Sequence, residues 1–174
     1  MSSVDPVYPD AKSKSSYQDG LEFQDFVCSQ LAKHAIVLQN LGSKRYQYNV
    51  GENLQGFEIK LDNNCTSTGR LSIEVFEKSR NDQALPWTKS GILRNDNTWL
   101  YIQGNYQVLY IFAKRFLLNY YESKKHFQNF VIEKHGTVKT FYIPNDTALK
   151  HAAKILEFGD GLPTSGGESR TGRR

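Results

Sequence analysis

The sequence predicts a mixed α/β domain whose central β-sheet is flanked by helices, and two patterns support this prediction. Apolar residues recur at helical spacing near both ends of the chain, whereas the centre has short runs of alternating apolar and polar residues. The 174 residues include ten Phe, ten Tyr and two Trp, which is enough apolar surface for the core of one domain. We expect this domain over 17–158, with a flexible arm over 1–16 and a flexible Gly/Ser-rich tail over 159–174.

Apolar residues spaced three or four positions apart predict three helices. In the first, Phe23, Val27 and Leu31 recur four positions apart with Leu21 before them, and residues 40–42 supply a stop signal. We expect this helix to cover one side of the sheet. The predicted helices are 19–40, 114–125 and 147–157.

Alternation of apolar and polar residues predicts a strand-rich centre. Gly104 and Asn105 supply a turn between two of these strands, which we expect to form an antiparallel hairpin. The stretch 86–93 fits either a short strand or an extended loop. The other candidate strands are 45–50, 57–62, 71–76, 98–103, 107–112 and 137–143.

The composition excludes several classes of protein. Two cysteines do not make a disulfide framework, and no apolar run approaches the ~20 residues of a membrane-spanning helix. The start of the chain also lacks the apolar segment of a signal peptide, so we expect a cytoplasmic protein without a membrane partner. The net charge of +4 is compatible with a polyanionic partner such as DNA. P-loop, dinucleotide-binding and hydrolase-elbow motifs are absent from the sequence.

Charged side chains gather on one face of the strand predicted over 57–62. Successive residues of a strand point to opposite faces, so Glu58, Lys60 and Asp62 share a polar face. Glu52 adds a carboxylate just before this strand, and Gly56 allows a close approach of the backbone there. Alternating charged and apolar residues also fit an ordinary half-exposed hairpin, but this group is denser than a solvated face requires.

The strand predicted over 71–76 brings a further carboxylate. If the two strands pair as a hairpin, Glu58 lies opposite Glu74 and Lys60 lies opposite Ser72. Like charges directly opposite each other destabilise a sheet unless they are solvated or a cation lies between them. A divalent metal meets this requirement, and Mg²⁺ favours oxygen ligands, often one or two carboxylates completed by water and substrate phosphate.

The spacing of Glu52 and Glu58-Ile59-Lys60 resembles the signature of the PD-(D/E)xK nuclease superfamily, with glutamate in place of the usual first aspartate. The resemblance covers residues 17–112, beginning with a helix that bears Glu22, and it implies a restriction-endonuclease-like fold with a mixed central sheet. Other segments look like a phage- or restriction-type branch of the superfamily: Lys60-Leu61-Asp62, Thr68-Gly69, Ile73-Glu74 and Ser90-Gly91-Ile92.

The resemblance implies a Mg²⁺-dependent deoxyribonuclease that hydrolyses phosphodiester bonds in DNA, with Mn²⁺ as a substitute metal and a homodimer if both strands are cut. Glu58 and either Glu52 or Asp62 would bind the metal, which polarises the phosphoryl oxygen and lowers the pKa of an attacking water. Lys60 would orient that water or stabilise charge in the transition state. Glu74 would ligate the metal or hold Lys60. An alternative arrangement takes Asp62 and Glu74 as the acids, with Lys60 serving from the neighbouring strand.

Basic residues after the predicted site are candidates for contacts to DNA phosphates. Lys89, Ser90 and Arg94 follow the predicted catalytic strands, which favours them over the basic groups of 114–126. Two other interpretations remain open: a non-catalytic nucleic-acid-binding module, and an interaction or structural protein. Both predict that DNA is not cleaved, and the second also predicts that DNA is not bound.

Overall fold

The computed structural model describes residues 11–41, 47 and 50–158, and of residues 11–17 it describes the backbone alone. Over this part the chain is a mixed α/β structure, as predicted. The predicted tail 159–174 lies outside the described residues, and so does most of the predicted strand 45–50.

The described part contains four helices, eight strands and one 3-10 turn. The helices are α1 (Ala11–Ala32), α2 (Cys65–Thr68), α3 (Lys114–Lys124) and α4 (Asn145–His151). The strands are β1 (Phe57–Leu61), β2 (Arg70–Glu77), β3 (Thr88–Lys89), β4 (Leu100–Gly104), β5 (Val108–Ala113), β6 (Ile132–Lys134), β7 (Val138–Pro144) and β8 (Lys154–Glu157). The 3-10 turn, Gly91–Leu93, lies between β3 and β4.

The strands form two sheets of four. The first sheet has the order β1-β4-β5-β8, in which β1 and β4 are parallel and the other neighbours are antiparallel. The second has the order β3-β2-β7-β6 and is antiparallel throughout. A register shift between Glu74 and Phe76 interrupts the pairing of β2 with β7, as at a β-bulge. The strands are therefore divided between two sheets instead of forming one central sheet.

The first sheet lies between α1 and the second sheet. Phe57 and Ile59 on one face of β1 share a core with α1, to which burial of each large apolar side chain contributes roughly 1.5–3 kcal/mol. The opposite face of this sheet shares a second core with the other sheet and α3, formed by residues that include Leu71, Ile73, Val75, Tyr101, Tyr110, Phe112, Leu117 and Phe141. The first helix therefore covers one side of a sheet, as predicted, and the polar face of β1 points between the two sheets.

The boundaries of the first and last predicted helices are wrong. Residues 11–16, predicted as part of a loose arm, belong to α1, which ends at Ala32 instead of residue 40. Its end is set by Ala35 at φ 60 and by a hydrogen bond from the Ile36 amide to the Leu31 carbonyl, a left-handed cap. The predicted last helix stops at His151, because residues 154–157 pair with β5 as strand β8 and tertiary pairing overrides helical propensity.

The predicted pairing of residues 57–62 with 71–76 is also wrong, although both segments are strands. β1 pairs with β4, so that Glu58 lies beside Tyr101, and β2 pairs with β7, so that Glu74 lies beside Thr140. The connection between β1 and β2 contains helix α2 and ends at Gly69 with φ 66, which carries the chain from one sheet to the other. The predicted hairpin of β4 and β5 is confirmed, and α3 and β7 form where they were predicted.

Candidate functional site

Glu58 is completely buried, and cations lie beside its carboxylate. Its Oε2 atom has no hydrogen-bond partner among the described residues, and the contacts of its Oε1 atom are with cations. The Lys60 Nζ atom lies 3.0 Å from Glu58 Oε1, and Arg94 Nη2 lies 3.9 Å from the same oxygen. Removing an ion from water costs several kcal/mol unless good geometry and further hydrogen bonds compensate. This carboxylate therefore has unused capacity to bind a cation or a hydrogen-bond donor.

Glu52 lies next to the same lysine and also holds the free edge of β1. Its Oε2 atom accepts a hydrogen bond from the Ile59 amide at 3.0 Å, and its Oε1 atom lies 3.5 Å from Lys60 Nζ. Burial raises the pKa of the Glu52 carboxyl above its usual 4.5, an effect that the Lys60 ammonium reduces and the Glu58 carboxylate reinforces. A bound cation would favour the ionised form of Glu52.

Lys60 joins the carboxylates into one group. Burial by itself lowers the pKa of a lysine, but the carboxylates of Glu58, Glu52 and Glu74 outweigh that effect here. The pKa of Lys60 therefore lies well above its usual 10.5, and the side chain is a cation at neutral pH. Its available chemistry is to neutralise negative charge or to donate hydrogen bonds, not to accept a proton as a general base.

Glu74 approaches this group from the second sheet. Its negative charge contributes to raising the pKa values of Lys60 and Tyr101, the two residues on which the Glu58 carboxylate also acts. Its Oε1 atom accepts a hydrogen bond from the Ser90 hydroxyl. Gly91 has φ +49 and packs against the backbone of Glu74, where a Cβ atom would collide with the carbonyl oxygen. The Ser90-Gly91 turn therefore fixes the position of Glu74.

Asp62 follows β1 on the same face as Glu58 but has other partners. Its Oδ2 atom accepts hydrogen bonds from the Ser72 amide at 2.8 Å and the Gln103 side chain at 3.3 Å. Its Oδ1 atom accepts one from the Asn64 amide at 3.3 Å. These bonds join the end of β1 to the start of β2 and to β4. The structure thus brings Glu52, Glu58, Lys60 and Glu74 together, and it places Asp62 in a separate hydrogen-bond network.

The three residues predicted to contact DNA have different surroundings. Lys89 is exposed on β3, whereas Ser90 is completely buried beside Glu74. The Arg94 side chain is only 16% exposed, and its guanidinium lies between Glu58 and Asp96. Arg94 is therefore part of the carboxylate group rather than a side chain on an open surface.

A buried ion group behind Arg94 was not predicted from the sequence. Lys114 Nζ donates hydrogen bonds to Asp96 Oδ1 at 2.9 Å and to the Arg94 carbonyl at 2.8 Å. The Asp96 side chain is completely buried, and that of Lys114 is 7% exposed. The sequence gives little indication of this ion pair, because Lys114 begins a helix with several basic residues, a pattern typical of a solvent-exposed helix. Only the packing of α3 against the segment after the 3-10 turn reveals the pair.

Tyr101 is a further neighbour of Glu58 that the sequence does not single out. Its hydroxyl is buried and has no hydrogen-bond partner among the described residues. Burial raises the pKa of Tyr101 well above its usual 10.0, and the Glu58 carboxylate adds to this effect. The hydroxyl is therefore neutral and retains its proton to donate to an acceptor at the site.

The donor atoms of this group suit a hard divalent cation. The Glu58 Oε2 atom lacks a hydrogen-bond donor among the described residues, and the carboxylates of Glu52 and Glu74 act electrostatically on the same lysine. Oxygen ligands of this type, completed by water, are those that Mg²⁺ prefers. Within the described ranges, no set of three or more His, Cys, Asp or Glu side chains has the arrangement of a preformed metal site. The residues that would hold the cation are Glu58 together with Glu52 or Glu74.

Comparisons with known proteins found no match among family models, curated proteins or solved structures. In the part of the chain that the structure describes, no helix is both long enough and apolar enough to cross a membrane.

Proposed function

We propose that this protein is a divalent-metal-dependent endonuclease that hydrolyses phosphodiester bonds in DNA at a site built around Glu58 and Lys60. The observation that carries this proposal is a fully buried carboxylate whose Oε2 atom has no hydrogen-bond partner among the described residues, although two cations lie beside Oε1. Most buried polar atoms in proteins are hydrogen-bonded, and exceptions often have a ligand or a catalytic role. A carboxylate that served only the fold would be expected to resemble Asp62, whose oxygens are satisfied.

Each residue of the group has a role in this proposal that follows from its surroundings. Mg²⁺, when bound, would polarise the phosphoryl oxygen and lower the pKa of the attacking water. Glu58 would hold the cation, while Glu52 keeps β1 and Lys60 in place through its contacts with the Ile59 amide and the ammonium. Lys60 stays protonated and is positioned to stabilise negative charge that develops on the phosphate.

Arg94 supplies a second positive charge beside Glu58. Its guanidinium is held between Glu58 and Asp96, and Lys114 fixes Asp96 from behind. Arginine is suited to phosphate because its planar guanidinium forms paired hydrogen bonds to the oxygens. This arrangement favours an interaction with the reacting phosphate over a contact with a distant part of the DNA backbone.

The finer family assignment belongs to the same proposal. Glu58 and Lys60 on one strand, with Glu52 in contact with the lysine, support a PD-(D/E)xK-type site. A restriction-endonuclease-like fold is part of the same proposal, and the division of the strands between two sheets does not add support to it. The alternative choice of Asp62 as an acid is less well supported, because main-chain amides already bind both of its oxygens. A homodimer that cuts both strands and a cytoplasmic location remain part of the hypothesis.

Plasmid cleavage tests this function. We expect the parent protein to nick or linearise supercoiled DNA with Mg²⁺ or Mn²⁺, to lose this activity with EDTA, and to lose it on Glu58→Gln or Lys60→Ala substitution. Glu122→Gln is the matched control, because Glu122 is an exposed acid on α3 that pairs with Lys125. Equal cleavage by the parent and the Glu58→Gln variant would rule out the proposed site.

One observation favours the non-catalytic alternative. Lys60 already lies within ion-pair distance of Glu58, so the carboxylate has a cation even without a metal. A nucleic-acid-binding module of this kind predicts DNA retention that EDTA leaves unchanged, together with a complete lack of cleavage. Mn²⁺ and Mg²⁺ would then leave the thermal stability of the protein unchanged.

A further inference from the structure

Apart from the Glu58 group, a polar pocket opens where the end of β1 meets the start of β2. It is a cavity of about 100 Å³. Since about 10–15 Å³ of such volume is enough for one water, the pocket has room for a small polar group. Its lining includes Asp62, Thr68, Arg70, Ser72, Lys134 and Tyr142.

Two cations lie against one aromatic ring in this pocket. The Arg70 guanidinium carbon lies 3.9 Å from the centroid of the Tyr142 ring, and Lys134 Nζ lies 4.9 Å from it. Lys134 Nζ also donates a hydrogen bond to Ser72 Oγ at 2.6 Å. Neither cation forms an ion pair with any carboxylate that the structure describes. The ring therefore has two positive charges beside it, and neither is neutralised by a described carboxylate.

The carboxylate in the pocket lining does not neutralise these cations. Asp62 directs its oxygens to the amides of Ser72 and Asn64 and to the Gln103 side chain. The groups that remain available are a guanidinium and an ammonium. Charged donors of this kind form the strong, short hydrogen bonds with which proteins bind phosphate.

Two residues of the pocket lining share strands with the Glu58 group. Asp62 follows Lys60 by two residues and Ser72 precedes Glu74 by two, each a step of about 7 Å along the strand. We infer that this pocket binds a backbone phosphate of the nucleic-acid strand, close to the phosphodiester that is cut at Glu58. The inference rests on the proposed function, and it adds a subsite that positions the strand.

Salt-dependent DNA binding tests the pocket without requiring catalysis. The probe is a fluorescent duplex oligonucleotide titrated with the Glu58→Gln protein in EDTA at several salt concentrations. Adding Arg70→Gln and Lys134→Gln should weaken binding and make the slope of log K against log salt shallower by about 1, as for the loss of one phosphate contact. The charge-preserving pair Arg70→Lys and Lys134→Arg should retain most of the slope.

The matched control is Arg80→Gln with Lys154→Gln, which removes the same charges from exposed positions elsewhere. If the pocket variant and this control have equal slopes, the inference is wrong. Arg70 is exposed, so the single Arg70→Gln variant provides the same comparison should the double variant melt at a lower temperature.

Two further comparisons separate the remaining outcomes. Oligonucleotides with and without a 5′-phosphate distinguish a backbone phosphate from a terminal one, and an effect confined to the phosphorylated oligonucleotide would overturn the backbone assignment. DNA binding is measured without metal, so it does not depend on catalysis. A parent protein that fails to cleave plasmid DNA would refute the nuclease proposal, and the effect of the pocket variant on DNA binding would still stand. Conversely, if the parent protein cleaves plasmid DNA but the Arg70→Gln and Lys134→Gln changes leave the slope of log K against log salt unchanged, only the phosphate-binding role of the pocket is refuted.

Discussion

Glu58 and Asp62 lie four residues apart on one face of the same strand and its continuation, about 13 Å along the chain, yet their surroundings are opposite. Glu58 is fully buried beside Lys60 and Arg94, and its Oε2 atom accepts no hydrogen bond from a described residue. Asp62 accepts three, two of them from main-chain amides. The comparison teaches that the partners of an acid, rather than its place in a pattern, distinguish a group that fixes the fold from one that is available to a ligand.

The largest expected difference between the two acids is in DNA cleavage. Glu58→Gln should lower the single-turnover rate on the order of 1,000-fold, comparable with the loss of a major electrostatic group in a transition state. Asp62→Asn should stay within about tenfold of the parent, because its amide still fills the same space and the metal site is intact. If both variants lose the same fraction of the cleavage rate at saturating Mg²⁺, the two acids do not differ in their contribution to catalysis.

Removing the cation beside Glu58 should have the largest effect on stability. Lys60→Met leaves a buried carboxylate without its nearest partner, and breaking such a pair costs about 3–5 kcal/mol of the free energy of unfolding. The double variant Glu58→Gln/Lys60→Met should recover much of this loss, because it removes the unpaired charge. Urea unfolding in EDTA measures both effects. A Lys60→Met protein as stable as the parent would show that Glu58 needs no cation.

Asp62 should contribute to stability by a smaller amount. Asp62→Asn replaces a charged acceptor of the Ser72 and Asn64 amides with a neutral amide, and hydrogen bonds to charged groups contribute about 1.5–3 kcal/mol. We expect the free energy of unfolding to fall by an amount at the lower end of this range, because the carbonyl oxygen of the Asn side chain can still accept one of these hydrogen bonds. Urea unfolding of this variant beside Glu122→Gln, which changes an exposed acid paired with Lys125, provides the comparison. Equal stabilities of the two variants would contradict the anchoring role of Asp62.

The smallest expected effect is a pH dependence from Glu52. Its raised pKa means that the folded protein binds this proton more tightly than the unfolded chain, so stability falls as pH rises from about 4.5 through the raised pKa. Glu52→Gln should remove this part of the fall. Mg²⁺ should also flatten it, because a cation beside Glu52 favours the ionised carboxyl. The melting temperature is measured across this pH window, with and without Mg²⁺. If the parent and the Glu52→Gln variant show the same dependence of melting temperature on pH, Glu52 is not the source of the fall in stability.

Local patterns in the sequence were sufficient to predict the faces of β1 and that Glu52, Glu58 and Lys60 lie together. Alternation put Glu58 and Lys60 on one face, and the structure packs the opposite face, with Phe57 and Ile59, against α1. The close approach expected at Gly56 is also confirmed. This residue has φ +74, and a Cβ atom there would lie 2.5 Å from the Asn97 carbonyl oxygen. Strand faces depend on neighbours within a few residues, which a sequence displays directly, and a glycine marks a position where a close approach is possible.

Features that depend on distant pairing could not be predicted in this way. Strands 57–62 and 71–76 are adjacent in sequence and have compatible patterns, but β1 forms hydrogen bonds with β4 some forty residues later. Likewise, Lys114 belongs to a helix with basic residues, and only the tertiary fold buries it against Asp96. The different partners of Glu58 and Asp62 are another such case, because residues up to forty-one positions away provide them.

Manganese binding in a crystal tests the central claim most directly. Crystals of the parent protein soaked in Mn²⁺ should show an anomalous difference peak about 2–2.4 Å from a Glu58 carboxylate oxygen, with Glu52 or Glu74 as a further neighbour and no peak at Asp62. The peak should disappear in Glu58→Gln crystals soaked in the same way. A Glu58 carboxylate that stays paired with Lys60 at saturating Mn²⁺, without a peak beside it, would contradict the account.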